Sequence, residues 1–188
     1  DTSGIREQAL KAIDEQVQWI PSWGRDRIFN MVTARPEWCL SRQRAWGVPI
    51  PSIRSKQTGD SVLDIRIVEK LMERVATVGT DVWFTEPLEA FWPEGFVYEA
   101  TGENKPEDFE KEFDIVDVWF DSGSTHIAVL EKREGLASPA AMYLEGSDQH
   151  RGWFQSSLLI GIGTRDRPPF KSVLTHGFIL DGKGEAMS

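Results

Sequence analysis

Between Glu145 and Trp153 the chain reads Glu-Gly-Ser-Asp-Gln-His-Arg-Gly-Trp. A carboxylate, an amide, an imidazole, a guanidinium and an indole thus fall within nine residues. Taken singly, each has a plain explanation. Loop carboxylates such as Glu145 are mostly solvated, an indole such as Trp153 is usually core, and His150 suits a cap or a surface. One turn that carries all of them is better suited to holding a polar ligand. A second group of this kind is Ser41-Arg42-Gln43-Arg44, where two guanidiniums flank an amide. That set suits an anion, although a solvated or ion-paired role serves it equally.

The local pattern says how the first group is held. Residues 140–144 form a short apolar run, and Gly146 permits a sharp turn with the backbone close to a ligand. Ser147 or Asp148 can cap a following helix over 149–161, whose Phe154, Leu158, Leu159 and Ile162 make one apolar stripe. Strand, polar turn and helix are half of a βαβ unit, and in open α/β sheets the ligand sits at the carboxyl ends of the strands. Residues 113–120 continue as strand and end at Asp121-Ser122-Gly123-Ser124-Thr125. A helix to about residue 134 follows, then a last strand over 171–175 and a hairpin turn at Asp181-Gly182-Lys183-Gly184. The alternation predicts a parallel α/β sheet.

Ahead of these lie an amphipathic helix over 4–17, broken by Gln18-Trp19-Ile20-Pro21, and a helix over 24–33 ended by Arg35-Pro36. Residues 38–44 read as extended. Trp19, Trp23, Trp38 and Trp46 read as packing residues. From 52 to 111 the composition shifts. Asp64 caps a helix over 64–78 with Ile65, Val68, Leu71, Met72 and Val75 inward, ended at Gly79. A short helical turn at 87–92 and an acidic loop over 99–112 complete this stretch. The expected organisation is a first segment 1–51, an inserted stretch 52–111 and a second segment 112–188.

The 188 residues suffice for one domain with a small insertion. A net charge of −9 argues against a dedicated binder of phosphate backbones. The single Cys39 excludes a disulfide framework and a multi-cysteine zinc site within this chain. No apolar run approaches the ~18 residues of a membrane span, and no signal peptide opens the chain. The expectation is a cytoplasmic protein with no membrane partner.

The stretch LEGSDQHRGWF closely resembles the second half of the catalytic domain of the isoleucyl-tRNA synthetase family, class I aminoacyl-tRNA synthetases. Trp38 to Gly47 is similar to that family's WCISRQRxWG segment and Asp117 to Ser124 to its DVWFDSGS. Thr175-His176-Gly177-Phe178, then Asp181-Gly182-Lys183-Gly184 and Ala186-Met187-Ser188, resemble the approach to its KMSKS loop. Four segments in order, covering most of the chain outside 52–111, make the likeness specific.

The resemblance implies the second half of a Rossmann-like nucleotide-binding fold, with a connective-peptide-like insertion at 52–111. It implies an ATP-dependent ligase that activates isoleucine to isoleucyl-adenylate and transfers it to tRNA(Ile), with Mg2+ accompanying ATP. Glu145 matches the residue that meets the α-ammonium. Gly146, Asp148 and Gln149 match positions around the aminoacyl-adenylate, and Trp119 and Trp153 the walls of the side-chain slot. His176, Gly177, Met187 and Ser188 match the nucleotide side, and Arg42, Gln43 and Arg44 match contacts to tRNA or another anion. Some relatives carry cysteines in the insertion; this chain has none there, so no zinc is expected.

Two departures bear on activity. No His-x-Gly-His occurs, and the HIGH-containing half, the editing domain and the anticodon-binding domain have no counterpart. The KMSKS-like segment has Ala186 where the first Lys stands, and stops at Ser188. The expectation is a largely inactive piece of a longer enzyme. A valyl or leucyl relative is the nearest rival, disfavoured by GSDQHRGWF together with DVWFDSGS. A non-catalytic synthetase-like module that binds a ligand or partner is the other.

Overall fold

The computed structural model describes residues 3–35 and 37–187. In chain order its elements are α1 (Ile5–Glu15), β1 (Gln18–Ile20), α2 (Trp23–Ala34), β2 (Ser41–Arg42), β3 (Ile53–Ser55), β4 (Ser61–Val62) and α3 (Ile65–Val78). They continue with α4 (Val82–Thr85), β5 (Phe109–Lys111), β6 (Ile115–Val116), α5 (Val118–Gly123), β7 (Tyr143–Gly146), α6 (Trp153–Arg165) and β8 (Ser172–His176). The chain divides into two compact units, Asp1–Cys39 with Val118–Ser188, and Leu40–Asp117. The stretch 52–111 lies inside the second. Among the described residues no helix is long and apolar enough to cross a membrane.

The first unit is α/β. Its sheet is parallel, in the order β1-β8-β7, with Trp19 opposite Val173 and Val173 opposite Tyr143. Ile13 of α1, Ile28 of α2, Phe154 and Leu158 of α6, Phe170 and Val173 are fully buried in one cluster. The amphipathic helices and the last two strands therefore form as their periodicity predicts. The segment 18–21, expected only to break a helix, forms edge strand β1. Three residues are too few to show a period of two, and pairing with β8 supplies the missing stability. The Trp19 indole N–H also donates to the Ile13 carbonyl, 2.9 Å away, tying β1 to α1.

Residues 118–120, expected as strand, begin helix α5 instead. The Ser122 and Ser124 hydroxyls donate back to the carbonyls of Val118 and Phe120, at 2.9 and 2.7 Å, one turn earlier. Bulky residues satisfy a helix here because the serines bond locally. The helix expected as far as residue 134 is a single π turn, His126–Leu130.

The second unit is built on short antiparallel pairs, with β3 between β4 and β5 and β2 beside β6. Ile53, Ile67, Leu71, Trp83, Phe91, Phe96 and Phe109 form its core. Asp64 caps α3 as expected, its carboxylate accepting from the Arg66 N–H at 2.8 Å. Leu71 and Val75 of α3 pack on this core as expected, but Ile67 is buried with them, whereas Ile65 and Met72 are 66% and 64% exposed. The acidic loop contains strand β5, because Phe109 turns into the core opposite Ser55. Trp46, expected to pack, stands on a bend and is 86% exposed.

Leu158 is fully buried in the first unit, while its neighbour Leu159 is only partly buried against the same cluster. Leu158→Ala should lower the unfolding free energy by about 2–5 kcal/mol. Leu159→Ala should cost only about 1 kcal/mol. Chemical denaturation checks the contrast, and equal losses would contradict this packing.

Candidate ligand site at the strand ends

Strands β7 and β8 end level with each other, Glu145 opposite Thr175 and Gly146 opposite His176. The side chain of Glu145 is 52% exposed. Its Oε1 accepts from the Gly146 N–H at 3.1 Å and lies 3.7 Å from His176 Nε2. His176 Nδ1 stands 2.6 Å from the Gly177 carbonyl, an acceptor, so Nδ1 carries the proton of the neutral ring. Nε2 then faces Glu145, and the two form an ion pair only when the imidazole is protonated.

Beyond Gly146 the chain makes a 3-10 turn, Ser147–Arg151. Exposed Asp148 accepts from the Gln149 amide at 3.1 Å, and the Gln149 carbonyl oxygen accepts from the Trp153 N–H at 2.9 Å. The N-cap position of α6 is therefore Gly152, and Gln149, rather than Ser147 or Asp148, accepts from the first N–H of the helix. The intervening 3-10 turn delays the helix until Trp153, beyond the reach of those two side chains. Any side chain at Gly146 would meet Asp148, since an added Cβ would stand 2.7 Å from Asp148 Oδ1. Gly146 is therefore the residue type that lets Asp148 approach the backbone this closely.

The two indoles have different surroundings. Trp153 stacks on Tyr143, with ring centres 3.9 Å apart and planes 9° from parallel, and its N–H donates to the Ser122 carbonyl at 3.0 Å. Trp119, on α5, is 41% exposed and lies over Gly152, where an added Cβ would come within 2.8 Å of its ring. It borders a cleft that Arg35, Trp38, Arg151 and Gln155 also line.

His150, expected at a cap or surface, is fully buried. Its Nδ1 lies 2.9 Å from the Ser147 carbonyl, and the rings of Trp19, Trp23 and Phe154 surround it. Burial pushes its pKa down, so it stays neutral. Neither this role nor the Tyr143 stack was found in the sequence. The short i, i+3 spacing of Ser147 and His150 was the available signal for the first.

Met187 belongs to an exposed hairpin, its N–H donating to Ile179 at 2.9 Å, and Ser188, like Pro36, is outside the described residues. Arg42, Gln43 and Arg44 belong to the second unit. There Arg42 pairs with buried Asp117 at 2.6 Å, and Gln43 and Arg44 are exposed. Among the described residues no three His, Cys, Asp or Glu side chains are grouped to hold a metal ion.

The site thus offers two exposed carboxylates, an amide and an imidazole at aligned strand ends. Such a set suits a ligand with a cationic end and hydroxyl groups, and includes no activated nucleophile.

Over residues 1–188 the chain matches the family described as tRNA synthetases class I (I, L, M and V). It is 50% identical over 188 residues to an isoleucine–tRNA ligase of Syntrophotalea carbinolica and 53% identical over 188 to one of Desulfotalea psychrophila. It is also 53% identical over 185 residues to one of Caldanaerobacter subterraneus subsp. tengcongensis. These alignments take in 98–100% of this chain and 19–20% of each relative. The chain therefore spans about a fifth of the length of the curated relatives it matches.

In the hairpin before Met187, Asp181 accepts from the N–H groups of Lys183 and Glu185 at 2.8 and 2.9 Å. These bonds, Glu185 first, hold its carboxyl below the ordinary 3.8. A depressed folded-state pKa stabilises the hairpin above the unfolded value, and that contribution disappears as the pH falls through the folded one. Hydrogen exchange at Lys183 and Glu185, corrected for the intrinsic rate, should therefore accelerate as acid protonates Asp181. Asp181→Ala, which removes the acceptor, should be fast at every pH.

Proposed function

The chain belongs to the class I tRNA synthetases (I, L, M and V), and from that premise we propose that it is part of an isoleucine–tRNA ligase. In that reading the whole enzyme joins the isoleucine carboxylate to the α-phosphorus of ATP. The bond between the α- and β-phosphates breaks and pyrophosphate leaves. A hydroxyl at the 3′ end of tRNA(Ile) then attacks the acyl carbon, and AMP leaves. No bond to the protein forms, so the protein's task is to position reactants and stabilise charge.

The observation that carries the proposal is the half-exposed Glu145 carboxylate at the aligned ends of β7 and β8, beside the turn that holds Asp148 and Gln149. Glu145 meets the α-ammonium of isoleucine. Gly146 leaves room for the adenylate backbone, and Asp148 and Gln149 meet its ribose and carbonyl side. Trp119 and Trp153 wall the side-chain slot, while His176, Gly177, Met187 and Ser188 face the nucleotide. Arg42, Gln43 and Arg44 contact tRNA. The parallel sheet with its helices is the second half of a Rossmann-like fold, and 52–111 is a connective-peptide-like insertion between segments 1–51 and 112–188. No metal-holding cluster lies among the described residues, so Mg2+ would enter with the ATP phosphates and no step is assigned to it here. Identities of 50–53% to isoleucine–tRNA ligases support isoleucine over valine or leucine.

Calorimetric titration with a non-hydrolysable isoleucyl-adenylate analogue, with the valyl analogue as control, tests this reading. One methylene in an apolar slot separates the two by ~1–3 kcal/mol, a preference of roughly 5- to 150-fold. Glu145→Gln removes the negative charge from a charge-assisted hydrogen bond and should weaken the isoleucyl analogue by about 10- to 100-fold. A preference for valine would reassign the substrate. Binding indifferent to Glu145→Gln, or no binding at all, would remove the ammonium site from this chain.

A further inference from the structure

Arg35, Trp38, Trp119, Arg151 and Gln155, all of the first unit, line a cleft of about 240 Å³ beside the start of α6. We propose that this cleft binds a phosphate group, held by the two guanidiniums and the Gln155 amide. The proposal is independent of the adenylate reading, whose carboxylates stand at the strand ends.

The first argument is charge. The chain carries −9 overall, and many of its arginines are matched to a carboxylate. Arg25 pairs with Asp14, Arg54 with Glu112, Arg66 with Asp64, Arg74 with Glu86 and Arg165 with Glu131. The cleft departs from this pattern. Arg35 donates only to uncharged acceptors, from Nε to the Glu37 carbonyl and from Nη1 to Gln155 Oε1, both at 3.2 Å. Its guanidinium carbon lies 5.7 Å from the centre of the Trp38 ring, which braces the group without cancelling its charge. Arg151 is exposed and has no hydrogen bond or ion pair among the described residues. No carboxylate is among the residues that line the cleft. Two uncompensated positive charges thus border one concave space.

The second argument is an unsatisfied donor. Gln155 is 2% exposed. Its Oε1 accepts from Arg35, a group that only donates, so the orientation of the amide follows and Nε2 is its other end. Nε2 donates to no described residue. A buried amide donor is costly to leave unpaired, and an acceptor in the cleft that Gln155 lines would satisfy it. The first N–H of α6 is already bonded to Gln149, so the helix adds only the positive end of its dipole. The donors come from three places, the end of α2, the 3-10 turn and the first turn of α6. Such an arrangement suits the tetrahedral oxygens of phosphate better than the two coplanar oxygens of a carboxylate.

Proton–nitrogen spectra of the whole chain resolve the Gln155 amide and the arginine Nε–H groups. Titration with inorganic phosphate at constant ionic strength should give saturable shifts at Gln155, Arg35 and Arg151. Arg151→Gln should weaken this binding by about tenfold or more, and Gln155→Leu by roughly fivefold. Arg133→Gln removes an equal charge from an exposed arginine that does not line the cleft, and should change the affinity by less than about twofold.

Phenyl phosphate reports the source of the group. Tighter binding than inorganic phosphate, lost in Trp119→Leu, identifies an ester with a flat substituent, and equal binding identifies the free ion. No saturable shift at Gln155, equal losses in Arg133→Gln and Arg151→Gln, or acetate bound as tightly as phosphate would overturn the assignment. These outcomes are separate from those of the adenylate titration, which reads Glu145.

Discussion

The parallel register of Tyr143–Gly146 against Ser172–His176 is the constraint on which the first unit depends. It places Val173 between Trp19 and Tyr143, so one buried valine sits at the centre of all three strands. It also ends two strands level, which sets Glu145 and His176 side by side. A slip of one residue would exchange the faces of every side chain on β7. Glu145 would then turn away, and buried Tyr143 would lose both the Trp153 stack and its place in the core. The register that builds the core therefore also builds the site.

What was legible in the sequence follows from how local each signal is. The turn after β7, the stripe of α6 and the hairpin at Asp181 depend on neighbours within a few residues. Their existence was read correctly, although α6 begins four residues later than expected, after the 3-10 turn Ser147–Arg151. Strand β1 was not, because Gln18–Ile20 is ordered by β8, far along the chain. The burial of His150 was missed for the same reason, since Trp19, Trp23 and Gly24 that enclose it come from the N-terminal segment. The α3 face was read in part: Leu71 and Val75 were expected inward and are, but apolar residues lie on more than one side of the helix, and the cluster with Trp83 and Phe91 takes Ile67 in place of Ile65 and Met72. Composition correctly marked 52–111 as different in kind, yet β5 within it depends on a partner strand more than fifty residues earlier.

Charge is arranged as local neutralisation. In the second unit Arg42 pairs with Asp117, Arg54 with Glu112, Arg66 with Asp64 and Arg74 with Glu86. Most of these are partly exposed, where such pairs contribute little to stability. Their consequence is that much of this unit's arginine charge is already compensated before any ligand approaches. The carboxylates at the strand ends differ. Glu145 lies beside the His176 imidazole and accepts from the Gly146 N–H, and Asp148 accepts from the amide of Gln149; neither carboxylate pairs with an arginine or lysine among the described residues.

The second unit leaves the first after Cys39 and returns at Val118, and its own ends are joined: the Asp117 N–H donates to the Leu40 carbonyl at 2.7 Å, beside the β2–β6 pair. For a chain that must bring β1 to β8, an unstructured excursion of that length would cost on the order of 4 kcal/mol in loop closure. Once Leu40–Asp117 has folded, its ends meet, and the excursion counts as little more than a tight connection. Contacts distant along the sequence become near neighbours along the effective chain, which lowers the contact order that β1 and β8 must overcome. The clasp at Leu40 and Asp117 thus shortens the connection between Cys39 and Val118 to that of a turn.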